Sequence, residues 1–279
     1  MINFRKSYKI STFTAILFVA SNSATAVNCG DTITTPTVLT ENLTCPIDID
    51  NQNGLIVEGP SGSLYMNGYT LTCNLDNLPL FTDAAGIRIT GMASLVTDGT
   101  VNNCNYGIFV VGTGFHTISD MTITNSLEDG IDLRSDNNTA IKNHIQFSGE
   151  DGIDMQGDFS SVIQNYIEFS DRDGIEADND FGTVAFNFVT GSQRAGIEME
   201  ASDNNTIVQN TVMNNGDGIS GDSGGIVITS QSSSNNLILG NTAENNLPFD
   251  LKDRIDPNCT GSNQWVANNF VTADPACLE

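Results

Sequence analysis

The chain has 279 residues, with 34 acidic side chains against 10 lysines and arginines and a formal net charge of −24. A field of that sign repels nucleic acid and anionic membrane, and it admits a polyanionic ligand only where divalent cations bridge the two. No apolar stretch reaches the ~20 residues a membrane-crossing helix needs, so no membrane insertion is expected.

Met1 to Ala26 reads as a secretory signal: Arg5, Lys6 and Lys9, an apolar run from Phe13 to Ala20, then Ala24-Thr25-Ala26 as a small-residue cleavage site. Its removal takes away three cations and no acid, shifting the formal charge from −24 to −27. The remaining residues, 27–279, are expected to form one exported, monomeric domain, extracellular or periplasmic. All six cysteines lie after the cut, which fits an oxidising compartment. Six cysteines allow 15 pairings; their grouping suggests Cys29 with Cys45, Cys73 with Cys104, and Cys259 with Cys277. None has metal-site spacing with histidines, so zinc is not expected.

From Val27 to about Cys73, alternating Val, Ile, Leu and Thr indicate strand, with the Cys29 to Cys45 span as a stapled first turn. End coils of a stacked repeat expose an apolar cross-section and need a cap. Between Gly86 and Gly130 a beat sets in at spacings of 21 and 23 residues, through AGIRI at Ala85 to Ile89 and YGIFVV at Tyr106 to Val111. It then becomes strict. DGID at Asp129, DGID at Asp151, DGIE at Asp173 and AGIE at Ala195 follow one another every 22 residues, which is the mark of a solenoid.

Within each period Ile131, Ile153, Ile175 and Ile197 alternate with Leu133, Met155, Ala177 and Met199, the pattern of a short strand with one face inward. A second apolar run follows at Ile141, Ile163, Ala185 and Val208, and a third at Ile145, Ile167, Val189 and Val212. Three short strands per period predict an all-β, single-stranded right-handed parallel β-helix of about ten coils, a rod about 50 Å long at about 4.8 Å per coil. Asn143, Asn165, Asn187 and Asn210 are read as an internal amide ladder at a corner, where Asn also tolerates a left-handed conformation. The glycine before each first strand is assigned to another corner. A one-residue insertion near Ala201 and an extra loop from Gly216 to Gly224 break the beat, and insertions in solenoids project from one face. Trp265 is expected to cap the last coil.

The positions between the inward residues of the first strand should point outward. They make one column of Asp132, Asp154, Glu176 and Glu198 and a second of Arg134, Gln156, Asp178 and Glu200. Stacked carboxylates repel by about 1 kcal/mol per neighbour in water and more in a groove. The strain is relieved by cations, by Ca²⁺, or by carboxyls that stay protonated. Asp132, Asp154 and Glu176 are therefore the expected Ca²⁺ ligands. Carboxylates one coil apart also fall near the separation used by retaining glycosidases. At the entering corner, Glu128, Glu150, Arg172 and Arg194 are in register, so that Glu150 should neighbour Arg172 and the arginines should approach Glu176 and Glu198. Phe159 and Phe181 form an aromatic column at the next turn. His116 and His144 lie off the acidic strip.

The repeating unit GIDLRSDNNTAIKNHI at Gly130 to Ile145, with its copies and NNTIVQNTV at Asn204 to Val212, resembles the right-handed parallel β-helix repeats of the pectate-lyase-like superfamily. That resemblance implies polysaccharide chemistry, since the group includes pectate and alginate lyases, polygalacturonases and mannuronan epimerases, alongside noncatalytic surface proteins. EDGID at Glu128 and Glu150 resembles the Asp-rich strands of polygalacturonases. The Gly-His-Gly and Arg-x-Lys elements of that family and the Asp-Pro-His-Asp signature of the epimerases are absent, so no catalytic residue is carried over.

The resulting expectation is a secreted protein that acts on or binds polysaccharide along its acidic sheet, as a lyase, epimerase or hydrolase. Asp132, Asp154, Glu176, Arg134 and Arg172 would be catalytic, with Glu198, Asp178, Arg194, Phe159 and Phe181 contacting substrate. The arginines would neutralise or deprotonate at the reacting carbon. The alternative is a noncatalytic structural or adhesion protein.

Overall fold

The computed structural model describes residues 26–48, 52–75 and 83–278, so the expected leader up to Thr25 lies outside the described residues. The chain winds as an all-β solenoid of about ten turns with no helix among the described residues. An 11-stranded parallel sheet runs the length of the rod, and its central strands are Ile131–Leu133, Ile153–Met155, Ile175–Ala177 and Ala195–Met199. Two further parallel stacks close the coil, represented by Thr139–Ile141 over Ser161–Ile163 and by His144–Gln146 over Tyr166–Glu168. The long strands Leu95–Asn102 and Thr117–Thr124 run through the corner that separates these two stacks elsewhere.

The core is a single column stack inside the coil. Ile131, Ile153, Ile175 and Ile197 are wholly buried, as are Leu133, Met155, Ala177 and Met199. So are Ile145, Ile167, Val189 and Val212 of the third stack. In the second stack the inward residues are Ala140, Val162, Val184 and Ile207, one position earlier than Ile141, Ile163, Ala185 and Val208. Those strands are three residues long, and only the central residue can face the lumen when the strand is bounded by corners. Trp265 continues this inward column below Ile238 and packs against the core at the end of the rod.

The Asn column is an amide ladder that extends beyond the four expected members. The N–H groups of Asn143, Asn165 and Asn187 each donate at 2.9 Å to the side-chain oxygen of the Asn one coil on. The ladder continues through Asn210 and Asn241 to Asn268. Each side-chain amide also donates to a backbone carbonyl, as Asn165 does to Ala140 at 2.9 Å. The left-handed residue of this corner is not the Asn. It is the residue before it: Lys142, Gln164, Phe186 and Gln209 all have φ between 53° and 59°. Asn has to face inward to reach its partners, and the turn is made one step earlier.

Gly130, Gly152 and Gly174 of the DGI phrase stand at the bend that enters the first strand, as expected, and what reserves the position is close approach and not a left-handed turn. Gly130, Gly152, Gly174 and Gly196 do not adopt positive φ. A Cβ at Gly130 would lie 2.4 Å from Ile145 Cγ2 and 2.6 Å from the Gly152 carbonyl, so the position is reserved for glycine by close approach. The insertion does fall at Ala201, with φ 47°. The paired cysteines are Cys29 with Cys45, Cys73 with Cys104 and Cys259 with Cys277. Asn165→Ala should cost about 3 kcal/mol in urea denaturation, because it strands two donors of Asn143 inside the rod while the surface stays unchanged.

Candidate functional site

The strip expected on the first sheet exists in register: Phe109 pairs with Asp132, then Asp154, Glu176, Glu198, Val227 and Lys252 follow. It is not open to solvent. Asp132 is 0% exposed, Asp154 6%, Glu176 8% and Glu198 3%. Neighbouring side chains fold over Asp132 and Asp154. Arg134 Nε donates to Asp132 Oδ2 at 2.8 Å, and Gln156 Nε2 donates to Asp154 Oδ2 at 2.6 Å. Asp178 and Glu200 of the second column are exposed, and no ion pair of theirs is formed among the described residues.

A third carboxylate column, missed in the sequence, completes the strip. Asp129, Asp151 and Asp173 are buried, and each Oδ1 accepts the backbone N–H one coil on, from Asp151 at 2.8 Å, Asp173 at 2.7 Å and Ala195 at 2.6 Å. The signal was present as the first letter of DGID, DGID and DGIE, but it sat at a corner and read as turn chemistry. One oxygen from each of Asp129, Asp132 and Asp154 lies within 4.8 Å of the others. The Oδ1 atoms of Asp132 and Asp154 are buried without a hydrogen-bond donor. A dry cluster of hard oxygens with two unmatched acceptors fits a divalent cation such as Ca²⁺. Glu176 belongs to no such cluster; it faces Arg172 instead. Among the described residues the carboxylate oxygens draw together in two groups, Asp129 with Asp132 and Asp154 and Asp129 with Glu150 and Asp151, and Glu176, expected beside Asp132 and Asp154, is in neither.

Burial dominates the electrostatics. It pushes the Asp132 carboxyl up to about 6 against the opposing pull of Arg134. It pushes Asp154 up to about 7, helped by Asp132 and Glu176, and Asp129 up to about 9, helped by Asp154. Asp151 is raised too, by burial and then by Asp129. Arg172 Nη1 lies 3.2 Å from Glu150 and 3.3 Å from Asp151, and its Nη2 lies 3.6 Å from Glu176. These acids raise its own pKa against the opposing effect of burial, and Asp132 does the same for Arg134. Both guanidiniums are therefore held as cations, which suits them to neutralising charge and not to accepting a proton. Arg194 forms no ion pair among the described residues.

The strip has defined ends. At one, the Phe109 ring carries Arg88 at 4.7 Å and Arg134 at 4.6 Å. At the other, the loop between Gly216 and Gly224 lies over Lys252, whose Nζ donates to the Gly221 carbonyl at 2.6 Å, and Arg254 pairs with Asp222. Phe159 and Phe181 stack at 5.0 Å with 7° between their planes. Each covers one face of the other, and both rings stay about half exposed. His116 is buried with Nδ1 accepting the Ser94 N–H at 3.0 Å, and His144 pairs with Glu168 on the third stack. Both lie away from the strip.

A parallel solenoid with a buried run of carboxyls along one sheet defines an acidic β-helix protein. A family model described as "Right handed beta helix region" matches residues 106–271, and the chain belongs to that family. Its fold is similar to the mannuronan C-5 epimerase AlgE6 A-module of Azotobacter vinelandii, at TM-score 0.58 and 12% identity over 89% of this chain and 80% of that one. It is also similar to the catalytic unit of a GH87 alpha-1,3-glucanase from Streptomyces thermodiastaticus, at TM-score 0.53 and 12% identity over 88% and 65%. Pectate lyase Pel9A aligns at TM-score 0.50 and 17% identity over 86% and 60%. At these identities the likeness establishes the fold. No curated protein matches the chain by sequence.

A carboxyl whose folded pKa lies above its unfolded value binds its proton more tightly in the native state. It contributes stability that is full below about pH 4 and is lost as pH rises through the folded pKa. For Asp132, Asp154 and Asp129 that window runs from about 4 to about 9. Metal-free protein should therefore lose several kcal/mol of stability between pH 5 and pH 8 in denaturant titrations, and Asp154→Asn should flatten part of that slope.

Proposed function

We propose that the protein is an exported carbohydrate-active enzyme that engages polysaccharide along the first sheet. The observation that carries this reading is the cluster of Asp129, Asp132 and Asp154, with two buried oxygens that nothing among the described residues satisfies. Structures are not built around unmatched buried carboxylates without a cation, a proton or a substrate group to meet them. The family's polysaccharide-acting neighbours and the three disulfides support the class and the export. The strongly acidic charge argues against nucleic acid and anionic membrane as partners.

Ca²⁺ held by Asp129, Asp132 and Asp154 would supply a bridge to sugar carboxylates and withdraw electron density from them. Around it, Arg134 and Arg172 provide fixed positive charge where an anion develops, and Glu176 sits beside Arg172 at the strip's centre. Asp178, Glu200 and Arg194 stand exposed or half-exposed along its rims, where a sugar chain lying on the sheet would pass. A noncatalytic adhesive rod is favoured by one observation: Asp129, Asp151 and Asp173 each satisfy a backbone N–H, a structural duty.

Calorimetric titration of Ca²⁺ into chelator-treated protein, followed by a panel of polysaccharides read for unsaturated products and reducing ends, separates the readings. Binding with turnover is expected. Asp154→Ala combined with Glu176→Ala should abolish turnover while leaving the circular dichroism of the rod intact. Turnover that survives this pair would remove the strip from the mechanism, and neither binding nor turnover on any polysaccharide would leave the adhesive rod.

A further inference from the structure

We propose that the hollow at the C-terminal end of the rod, walled by Trp265, Asp253 and Asp256, is a binding site for a single neutral pyranose unit. It opens inside the last coil, on the opposite face of the first sheet from the carboxyl strip. Only the choice of a sugar as ligand rests on the polysaccharide reading above.

The column that faces the lumen from the first sheet is apolar in coil after coil, as Leu133, Met155, Ala177, Met199 and Ile228 pair in register. The next partner, below Ile228, is Asp253, so a buried carboxyl takes the place of a core side chain. Trp265 likewise follows Ile238 in a column that is otherwise aliphatic, and one side of the half-buried indole packs against the core. Both changes fall at the same end of the rod. Between them lies a hollow of about 310 Å³, which Asp256, Asn263, Gln264 and Val266 also line.

The walls are fixed by the chain itself, as a pre-formed site requires. Trp265 Nε1 donates to Asp253 Oδ2 at 3.2 Å, which anchors the edge of the indole. Asp253 Oδ1 in turn accepts the N–H groups of Ile255 and Asp256, both at 3.1 Å. Asp256 accepts the Asn258 N–H at 3.3 Å and the Gly261 N–H at 2.5 Å, and the Cys259–Cys277 disulfide closes the same loop against the hollow. Burial holds the Asp253 carboxyl above its usual range in spite of these donors, as expected for a poorly hydrated floor.

The lining selects the ligand. An indole presents an apolar face to the C–H face of a sugar ring. Each carboxylate offers about four acceptor positions, more than the N–H groups named above occupy, and the remainder suit hydroxyl donors. The strand Gln264–Val266 pairs with Leu237–Leu239 and with no other described strand, so its second edge adds backbone donors and acceptors. A volume of about 310 Å³ lies at the lower end of the range for small-ligand sites, enough for one ring and too little for an extended peptide. Two acids, with no lysine or arginine among the lining residues, exclude an anion such as a uronate or a phosphate. An organic cation would find the same indole, but the acids have already turned both their oxygens to N–H donors, which offsets much of their charge.

Trp265 is the only tryptophan of the chain, so its fluorescence reads the site directly. The methyl glycosides of glucose, galactose and mannose are titrated into the mature chain at neutral pH, with tetramethylammonium chloride as the competing probe. At least one glycoside is expected to move the emission to the blue and to saturate in the millimolar range, as the sugar ring replaces water on the indole. Asp256→Asn, which keeps an acceptor for the loop and removes the charge, should weaken that binding at least ~10-fold. Gln264→Ala alters an exposed rim residue, should leave the thermal midpoint at that of the parent, and should weaken the same binding at least ~3-fold. Emission that no glycoside moves overturns the proposal, and so does a shift that survives Gln264→Ala and Asp256→Asn unchanged. A shift produced by tetramethylammonium at lower concentration than by any glycoside makes the hollow an organic-cation site instead. Saturable glycoside binding at Trp265, with no polysaccharide bound or cleaved along the first sheet, leaves this site standing while the reading above fails. Turnover of a polysaccharide with no glycoside at Trp265 does the reverse.

Discussion

Everything in this rod depends on vertical register: the buried Asn amides of the corner ladder are satisfied by their counterparts one coil away. Asn143, Asn165, Asn187, Asn210, Asn241 and Asn268 form one such chain of donors and acceptors, and Asn215 with Asn246 belongs to another. A coil that slipped by one residue would lose its amide partners and would also turn its apolar residues outward. That explains why the central repeat keeps a strict period, and why departures fall where the chain leaves the stack. The extra residue at Ala201 and the loop between Gly216 and Gly224 both lie between strands and leave the pairings around them intact.

The same stacking that satisfies amides penalises carboxylates. An Asp or Glu repeated in register is brought within about 4.8 Å of its like, and burial amplifies the repulsion. The protein answers differently at each level. Asp132 is met by Arg134, and Arg172 bridges Glu150, Asp151 and Glu176. The Asp129 column turns one oxygen of each residue to a backbone N–H, which keeps those carboxyls occupied. What remains unanswered among the described carboxylates is local: the free oxygens of Asp132, Asp154 and Asp173. Chemistry is to be sought where donors and acceptors do not match, because a group held in that state interacts strongly with whatever supplies the missing partner.

The ends of the strip sharpen this picture. Phe109 replaces the carboxylate at one end and carries two guanidiniums on its ring. At the other end Val227 and Lys252 take over the same column, and the inserted loop seals Lys252 with its own carbonyl oxygens. The acidic segment is therefore a bounded stretch of four coils, not a general property of an acidic rod. The exposed phenylalanine corners, in contrast, stack face to face and contribute chiefly to one another.

By itself the sequence determined the architecture: a 22-residue beat, three apolar runs per period and an Asn column leave few alternatives to stacked parallel coils. It also placed Asp132, Asp154, Glu176 and Glu198 in one column and put Glu150 beside Arg172. Periodicity transmits such relations because register is a one-dimensional property of the chain. The tertiary structure alone decided how deep each side chain lies, since that depends on how Arg134 and Gln156 fold across the sheet. It likewise brought the carboxylate of Asp129 to within 4.8 Å of those of Asp132 and Asp154. Those approaches join residues from different columns across a corner, and the angle at which a corner turns is set by packing against the coils above and below, which no repeat pattern records.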